Sequence, residues 1–93
     1  MIHFLIHDVS DNVGVAVVDV AAGADCIGRN LSTNESLKAS SEEAIPLGHK
    51  IALKDLAIGD TAIKYGCEIG IIVQAVKAGR HVHTHNLKTK RWA

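Results

Sequence analysis

Apolar residues recur at every second position through much of this chain, the spacing of strands that bury one face. Ile2-His3-Phe4-Leu5-Ile6-His7 puts Ile2, Phe4 and Ile6 on one side and His3, Leu5 and His7 on the other. Asp11-Asn12 is turn chemistry, and Val13-Gly14-Val15-Ala16-Val17-Val18 predicts a second strand rich in β-branched residues. Ala21-Ala22-Gly23-Ala24-Asp25 predicts a turn, residues 26–31 a short strand, and 30–34 a polar loop. Glu35-Ser36-Leu37-Lys38-Ala39 fits a strand or a helical turn equally.

The lone proline marks the next punctuation. Pro46 and Gly48 predict a turn that sets the entry of a strand over 49–53. There His49, Ile51 and Leu53 share one face, and Lys50, Ala52 and Lys54 the other. The segment 54–60 closes in a Gly-Asp turn, and Thr61-Ala62-Ile63-Lys64-Tyr65 is the following strand. Gly66-Cys67-Glu68-Ile69-Gly70 predicts a glycine-bracketed bend at which the backbone approaches another segment closely. Ile71-Ile72-Val73-Gln74-Ala75-Val76 is compatible with a strand or a short helix. Lys77-Ala78-Gly79 then turns into a last strand over 81–85. Short strands with a glycine-containing turn about every eight to twelve residues predict a mostly β, compact single domain over residues 1–93. No internal repeat and no linker is apparent.

At 93 residues the chain suffices for one small core. Its formal net charge of zero gives no field to draw it onto nucleic acid or an anionic membrane, and 3% aromatic content leaves no stacking platform for single strands. No basic leader precedes the first apolar segment, and no apolar run approaches membrane-spanning length. Cys26 and Cys67 have no paired spacing that would mark a disulfide framework or a zinc site, so the expected setting is the reducing cytoplasm. The tail Lys88-Thr89-Lys90-Arg91-Trp92-Ala93 is basic and is expected to be solvated, the alternative being that Trp92 docks on a partner.

The chemistry gathers late in the chain. Gly79-Arg80-His81-Val82-His83-Thr84-His85-Asn86 carries three of the six histidines at alternate positions. On a strand they share a face, and imidazoles at that spacing can converge on a metal ion or an acidic small molecule. The competing reading is a polar sheet surface. None of the residues after His85 is acidic, which argues against a self-contained cupin-like centre. Gly48-His49-Lys50 sets an acid–base group and a cation at a strand end, suited to a carboxylate substrate. Lys64-Tyr65-Gly66 offers two donors beside a glycine, an anion clamp or simply a tyrosine packed on the core. His3 and His7 read as structural or surface residues. There is no P-loop, dinucleotide fingerprint or nucleophile elbow, and a domain of this size has little room for a deep pocket. Residues alone lead to a small β domain carrying part of a site.

Four stretches in this order carry a family resemblance: Asp11-Asn12-Val13-Gly14-Val15; Ile45-Pro46-Leu47-Gly48-His49-Lys50-Ile51-Ala52-Leu53; Ile63-Lys64-Tyr65-Gly66-Cys67-Glu68-Ile69-Gly70; and Gly79 through Asn86. Together they resemble the SAF domain of the altronate and galactarate dehydratases, over nearly the whole chain. The resemblance implies an SAF-type β-clip fold and a lyase acting on a 2-hydroxy carboxylate with a divalent metal, iron(II) (Fe2+), in the active site. A free-standing domain of this kind resembles the small subunits of two-subunit lyases, so a large dehydratase-like subunit is the implied partner in a hetero-oligomer, and the chain alone is expected to be inactive. The implied reaction is C2 proton abstraction followed by elimination, of bisulfite from (2R)-3-sulfolactate to leave pyruvate, or of hydroxide from a sugar acid. A non-catalytic SAF binding module is the third possibility. On the same resemblance, His83 and His85 are the metal candidates, with His81 at the looser end of the motif. His49, as acid–base group or ligand, and Lys50 are the catalytic candidates, and Lys64, Tyr65, Arg80 and Asn86 the substrate-binding ones. Asn86 falls on the opposite face of an ideal strand, so its participation requires a bend.

Overall fold

A computed structural model describes residues 1–89. The alternating segments form nine short strands among them: β1 (Phe4–Ile6), β2 (Val13–Ala16), β3 (Asp25–Asn30), β4 (Ser36–Ser40), β5 (Lys50–Ala52), β6 (Thr61–Lys64), β7 (Cys67–Ile72), β8 (His81–Val82) and β9 (Leu87–Lys88). Six make one sheet in the order β4-β3-β1-β2-β5-β8, and three make a second in the order β6-β7-β9. All neighbours are antiparallel except β1 and β3. The described residues contain no helix, so the fold is mostly β as the periodicity predicts, its curled sheets in keeping with a β-clip. The docking role considered for Trp92 lies outside the described residues.

Alternation puts the core where the pattern places it. Phe4, Ile6, Ala16, Val20, Cys26, Ile45 and Ile51 form one buried cluster. Val13, Ala52, Leu56, Ala62, Ile72, Val76 and Val82 form a second, between the two sheets. Phe4 sits flat against β2 and β3, where Gly14 and Gly28 leave space for its ring; a Cβ at either position would collide with it.

Three local expectations are decided or corrected. Residues 36–40 are strand, because β4 pairs with β3 from Asp25↔Ser40 to Arg29↔Ser36. The bend expected over 66–70 is instead strand β7. Tyr65 and Gly66, at φ 53° and 75°, make a two-residue hairpin turn, so the return strand starts at once. The close approach read from the glycines is real at Gly70, where a Cβ would run into the Lys88 carbonyl. Of residues 71–76, Ile71 and Ile72 end β7, and Val76 makes an isolated bridge to Leu56.

The structure also contains the repeat that was not apparent in the sequence. Val20, Ile45, Leu56 and Val76 are each followed three residues later by a glycine at positive φ: Gly23 (77°), Gly48 (84°), Gly59 (92°) and Gly79 (85°). The four units pair two by two. Val20 and Ile45 exchange backbone hydrogen bonds, as do Leu56 and Val76. In each pair both glycine N–H groups donate across, Gly23 to Ser41 and Gly48 to Ala16, Gly59 to Ile72 and Gly79 to Ala52. Each pair closes one of the two apolar clusters.

Asp11 and Asn12 tie the two sheets together. The Asp11 carboxylate accepts from the backbone N–H groups of His7, Asp8 and Gly66. Asn12 donates its side-chain amide to Thr61 O at 2.9 Å and accepts Ile63 N–H at 2.7 Å. Hairpin β6–β7, with Lys64 near its tip, is thereby fixed against the first sheet.

Candidate functional site

The site begins with the register of β5 against β8. Lys50 faces Val82 and Ile51 faces His81. Extending that register one residue sets His49 opposite His83, and their rings stack at 3.7 Å between centroids, 17° from parallel. His49 Nδ1 lies 2.7 Å from His81 Nε2. One nitrogen from each of His49, His81 and His83 falls within 4.8 Å of the others.

The histidine strand is shorter than its alternation predicts, because β8 ends at Val82. The Asn86 side chain competes with the ladder: its amide donates to His81 O at 2.8 Å and its oxygen accepts His83 N–H at 2.9 Å. The chain therefore bends over 83–86 and turns back into β9. This removes His85 from the shared face. It sits exposed at the rim, 5.1 Å ring to ring from His81, outside the three-nitrogen group. Asn86, a substrate-binding candidate, is buried with its amide committed to the turn.

The remaining candidates divide. Lys50 and Lys64, from different sheets, line a cleft of about 260 Å³ with Ile69, His83, Thr84, Leu87 and Thr89. His83 belongs to both parts of the site, stacked on His49 on one side and walling the cleft on the other. Tyr65 packs edge-on against His7 at 5.5 Å, with Lys64 Nζ 5.5 Å from its ring. Arg80 is exposed and pairs with Glu43 at 3.5 Å. A larger surface cavity, about 590 Å³ over β3 and β4, has no imidazole in its lining.

The electrostatics favour the neutral form of two of the imidazoles, His81 and His83. Partial burial, then His49 and His85, hold His81 below the ordinary histidine range, with Glu43 opposing weakly. Desolvation first, then His49, Lys50 and His85, lower His83. Burial, and secondarily Lys64, lower Lys50. Neutral imidazoles present lone pairs rather than protons, the form a metal requires. Three nitrogen donors with no protein carboxylate among them suit a divalent transition ion that keeps positions open for an oxygen ligand.

Sequence reasoning found the individual histidines but not their grouping. His49 lies 32 positions from His81, and only the β5–β8 register brings them together. Thr84 and Thr89 were missed as cleft residues. Thr84 reads as a strand spacer until the bend at Asn86 is recognised.

The altronate/galactarate dehydratase SAF domain family matches residues 2–90. The chain is 48% identical over 92 residues, 98% of both sequences, to (2R)-sulfolactate sulfo-lyase subunit alpha of Chromohalobacter salexigens. It is 52% identical over 61 residues to the subunit of the same name from Paracoccus pantotrophus, 66% of this chain and 91% of that one. Altronate dehydratase of Escherichia coli is 38% identical over 79 residues, 85% of this chain but 15% of the dehydratase.

Proposed function

The chain belongs to the altronate/galactarate dehydratase SAF domain family, and from that premise we propose that it is the small subunit of a two-subunit lyase converting (2R)-3-sulfolactate to pyruvate and bisulfite. The observation that carries the substrate is the match, end to end on both sequences, to a chain named as a sulfo-lyase alpha subunit. The relation to altronate dehydratase is more distant and covers 15% of that protein. Residues 1–93 form a single SAF domain in this reading, one wall of a site completed by a large dehydratase-like subunit, and without that partner the chain is inactive. Its two free thiols, Cys26 buried and Cys67 exposed, suit a cytoplasmic setting.

In this reading His49, His81 and His83 would hold the divalent ion, iron(II), with His85 at the rim. When bound, the ion supplies Lewis-acid stabilisation to the oxyanion that develops next to C2. Of the two roles open to His49, acid–base group or ligand, this reading takes the ligand, since its Nδ1 already faces His81. Lys50 and Lys64 bind one anionic end of the substrate and help orient its C2–H bond toward a base of the large subunit. That base removes the C2 proton, and the electron pair becomes the C2–C3 double bond. The C3–S bond breaks with its pair on sulfur, sulfite leaves and is protonated to bisulfite, and the enol ketonises to pyruvate. The cationic lysines act electrostatically, favouring the extra negative charge of the transition state.

The test is reconstitution with the large subunit and iron(II), followed by sulfite release from (2R)-3-sulfolactate. Release is expected; none from a folded pair sinks the substrate assignment. Formation of a 2-keto-3-deoxy acid from a sugar acid instead identifies a dehydratase. Full activity after His81→Ala and His83→Ala reduces the chain to a binding module.

A further inference from the structure

The cleft beside the imidazoles has a composition of its own. Beside the His83 ring, four residues with hydrogen-bond donors line it: Lys50 on β5, Lys64 on β6, and Thr84 and Thr89 in the segments on either side of β9. Its apolar lining is Ile69 and Leu87, and no carboxylate or amide side chain contributes. Two lysines share the cleft with no acidic residue between them. No ion pair among the described residues engages either lysine.

That donor set has a chemical preference. A sulfonate is tetrahedral, carries its charge over three oxygens and is always ionised, so it is best held by several donors arriving from different directions. A flat carboxylate is better matched by the fork of an arginine. The hydroxylated carbons of a sugar acid are best held by carboxylate and amide side chains, which accept strongly in fixed directions, and neither type lines this cleft. The apolar patch of Ile69 and Leu87 suits a methylene, the group that carries the sulfonate in a three-carbon substrate.

We infer that the Lys50–Lys64–Thr84–Thr89 cleft is the sulfonate subsite, with Thr84 and Thr89 as the residues that select a sulfonate over the hydroxylated carbon of a sugar acid. This rests on the sulfo-lyase reading and names its specificity determinants. The carboxylate end lies toward His49 and His81, with the His83 ring between the two ends. The two lysines supply charge for any anion. The threonine hydroxyls supply the directional contacts that hold the sulfonate equally in the bound substrate and in the transition state.

Two measurements test it. In the reconstituted complex, Thr84→Val and Thr89→Val keep side-chain volume and remove the hydroxyl. The double variant raises KM for sulfolactate at least tenfold with kcat changed by less than threefold, and the corresponding Thr→Ser variants restore it. Separately, methanesulfonate is titrated into the full chain and followed by amide NMR. It shifts Lys50, Lys64, Thr84 and Thr89, acetate at equal concentration shifts them less, and the double valine variant abolishes the difference. Unchanged KM in single and double variants that turn over sulfolactate overturns the subsite and leaves the function intact. Methanesulfonate shifts centred elsewhere overturn it too. An absence of sulfolactate turnover by wild-type complex, with methanesulfonate still bound in the cleft, overturns the function and leaves the subsite standing.

Discussion

Replacing Asn12 by alanine separates the contribution of one polar side chain from that of the cores on either side of it. Asn12 is nearly buried, 9% exposed, and its side chain bridges to residues 49 and 51 positions away. Alanine removes the donation to Thr61 O and the acceptance from Ile63 N–H. Two such bonds contribute about 0.5–1.5 kcal/mol each, and stranding the Ile63 N–H costs about 1–3 kcal/mol more, so a loss of roughly 2–6 kcal/mol is expected. For a domain whose whole stability is on the order of 10 kcal/mol, that is a large share. At about 4–8 °C per kcal/mol, the melting temperature falls by at least roughly 10 °C and by up to about 50 °C. Calorimetry measures the total, and amide exchange locates it: Ile63 N–H loses protection more than a β1 amide such as Leu5, because the loosened element is β6. Asn12→Asp keeps the acceptor for Ile63 and sets a carboxylate against the Thr61 carbonyl, so it melts low while Ile63 stays more protected than in the alanine variant. A melting temperature for Asn12→Ala within about 2 °C of wild type, with Ile63 still protected, would refute the reasoning. The second apolar cluster, with the Asp11 carboxylate on Gly66 N–H and the Asn12 backbone N–H on Ile63 O, would then suffice to hold the sheets.

Other perturbations probe the site and the scaffold. Titration of the full chain with iron(II) or zinc is expected to lose at least about tenfold in affinity with His81→Ala or His83→Ala, and less with His85→Ala, read by competition with a chromophoric chelator. The folded state keeps His81 below the unfolded value near 6.5, through burial and the neighbouring His49, His85 and His83, with Glu43 opposing. The unfolded chain therefore binds more protons as pH falls below 6.5, and stability drops through that window until the folded-state imidazole also protonates. Melting curves from pH 7.5 to 5 should show the drop, and His81→Asn should flatten it. Gly79→Ala should cost far more than Gly48→Ala in urea unfolding. Both have positive φ, but a Cβ at Gly48 meets open space and one at Gly79 meets the Ser40 carbonyl. Gly28→Ala forces a methyl into the Phe4 ring, an overpacking of about 1–3 kcal/mol that Phe4→Leu should partly relieve.

The strands were legible where burial follows alternation, which it does most cleanly in β3. In β3 the inward positions Cys26, Gly28 and Asn30 are buried, while Asp25 and Ile27 are exposed. The same rule failed at His83, where one asparagine side chain three residues ahead outcompetes the ladder for His83 N–H. The repeat escaped notice because each unit requires only an apolar residue and a glycine three positions later. Two constraints per unit leave Val20-Ala21-Ala22-Gly23 and Ile45-Pro46-Leu47-Gly48 with little else in common. Glycine is needed for the left-handed backbone and the apolar residue for the bridge; everything between is free to vary.

That freedom explains where the chemistry sits. His49 directly follows the glycine of the second unit, and His81 lies two residues after the glycine of the fourth. The bridge and the left-handed turn are complete at the glycine, so the next two residues are less constrained, although Asp60 still caps its own turn by accepting Ala57 N–H. In the first and third units those positions hold Ala24-Asp25 and Asp60-Thr61, and no imidazole group forms there. The first sheet's β5–β8 edge brings the second and fourth units side by side, and the Asn86 turn brings His83 in from outside the repeat. The second sheet adds Lys64, which the Asn12 bridge holds in place. The imidazole group therefore depends on β-pairing within one sheet, while the cleft depends on the seam between two. Loosening that seam should weaken anion binding before it weakens metal binding. Asn12→Ala, measured at a temperature where it remains folded, is expected to reduce methanesulfonate affinity while iron(II) affinity stays near wild type. Equal losses in both would mean that the imidazoles and the cleft form one cooperative unit, and the division of the site along the seam would fall.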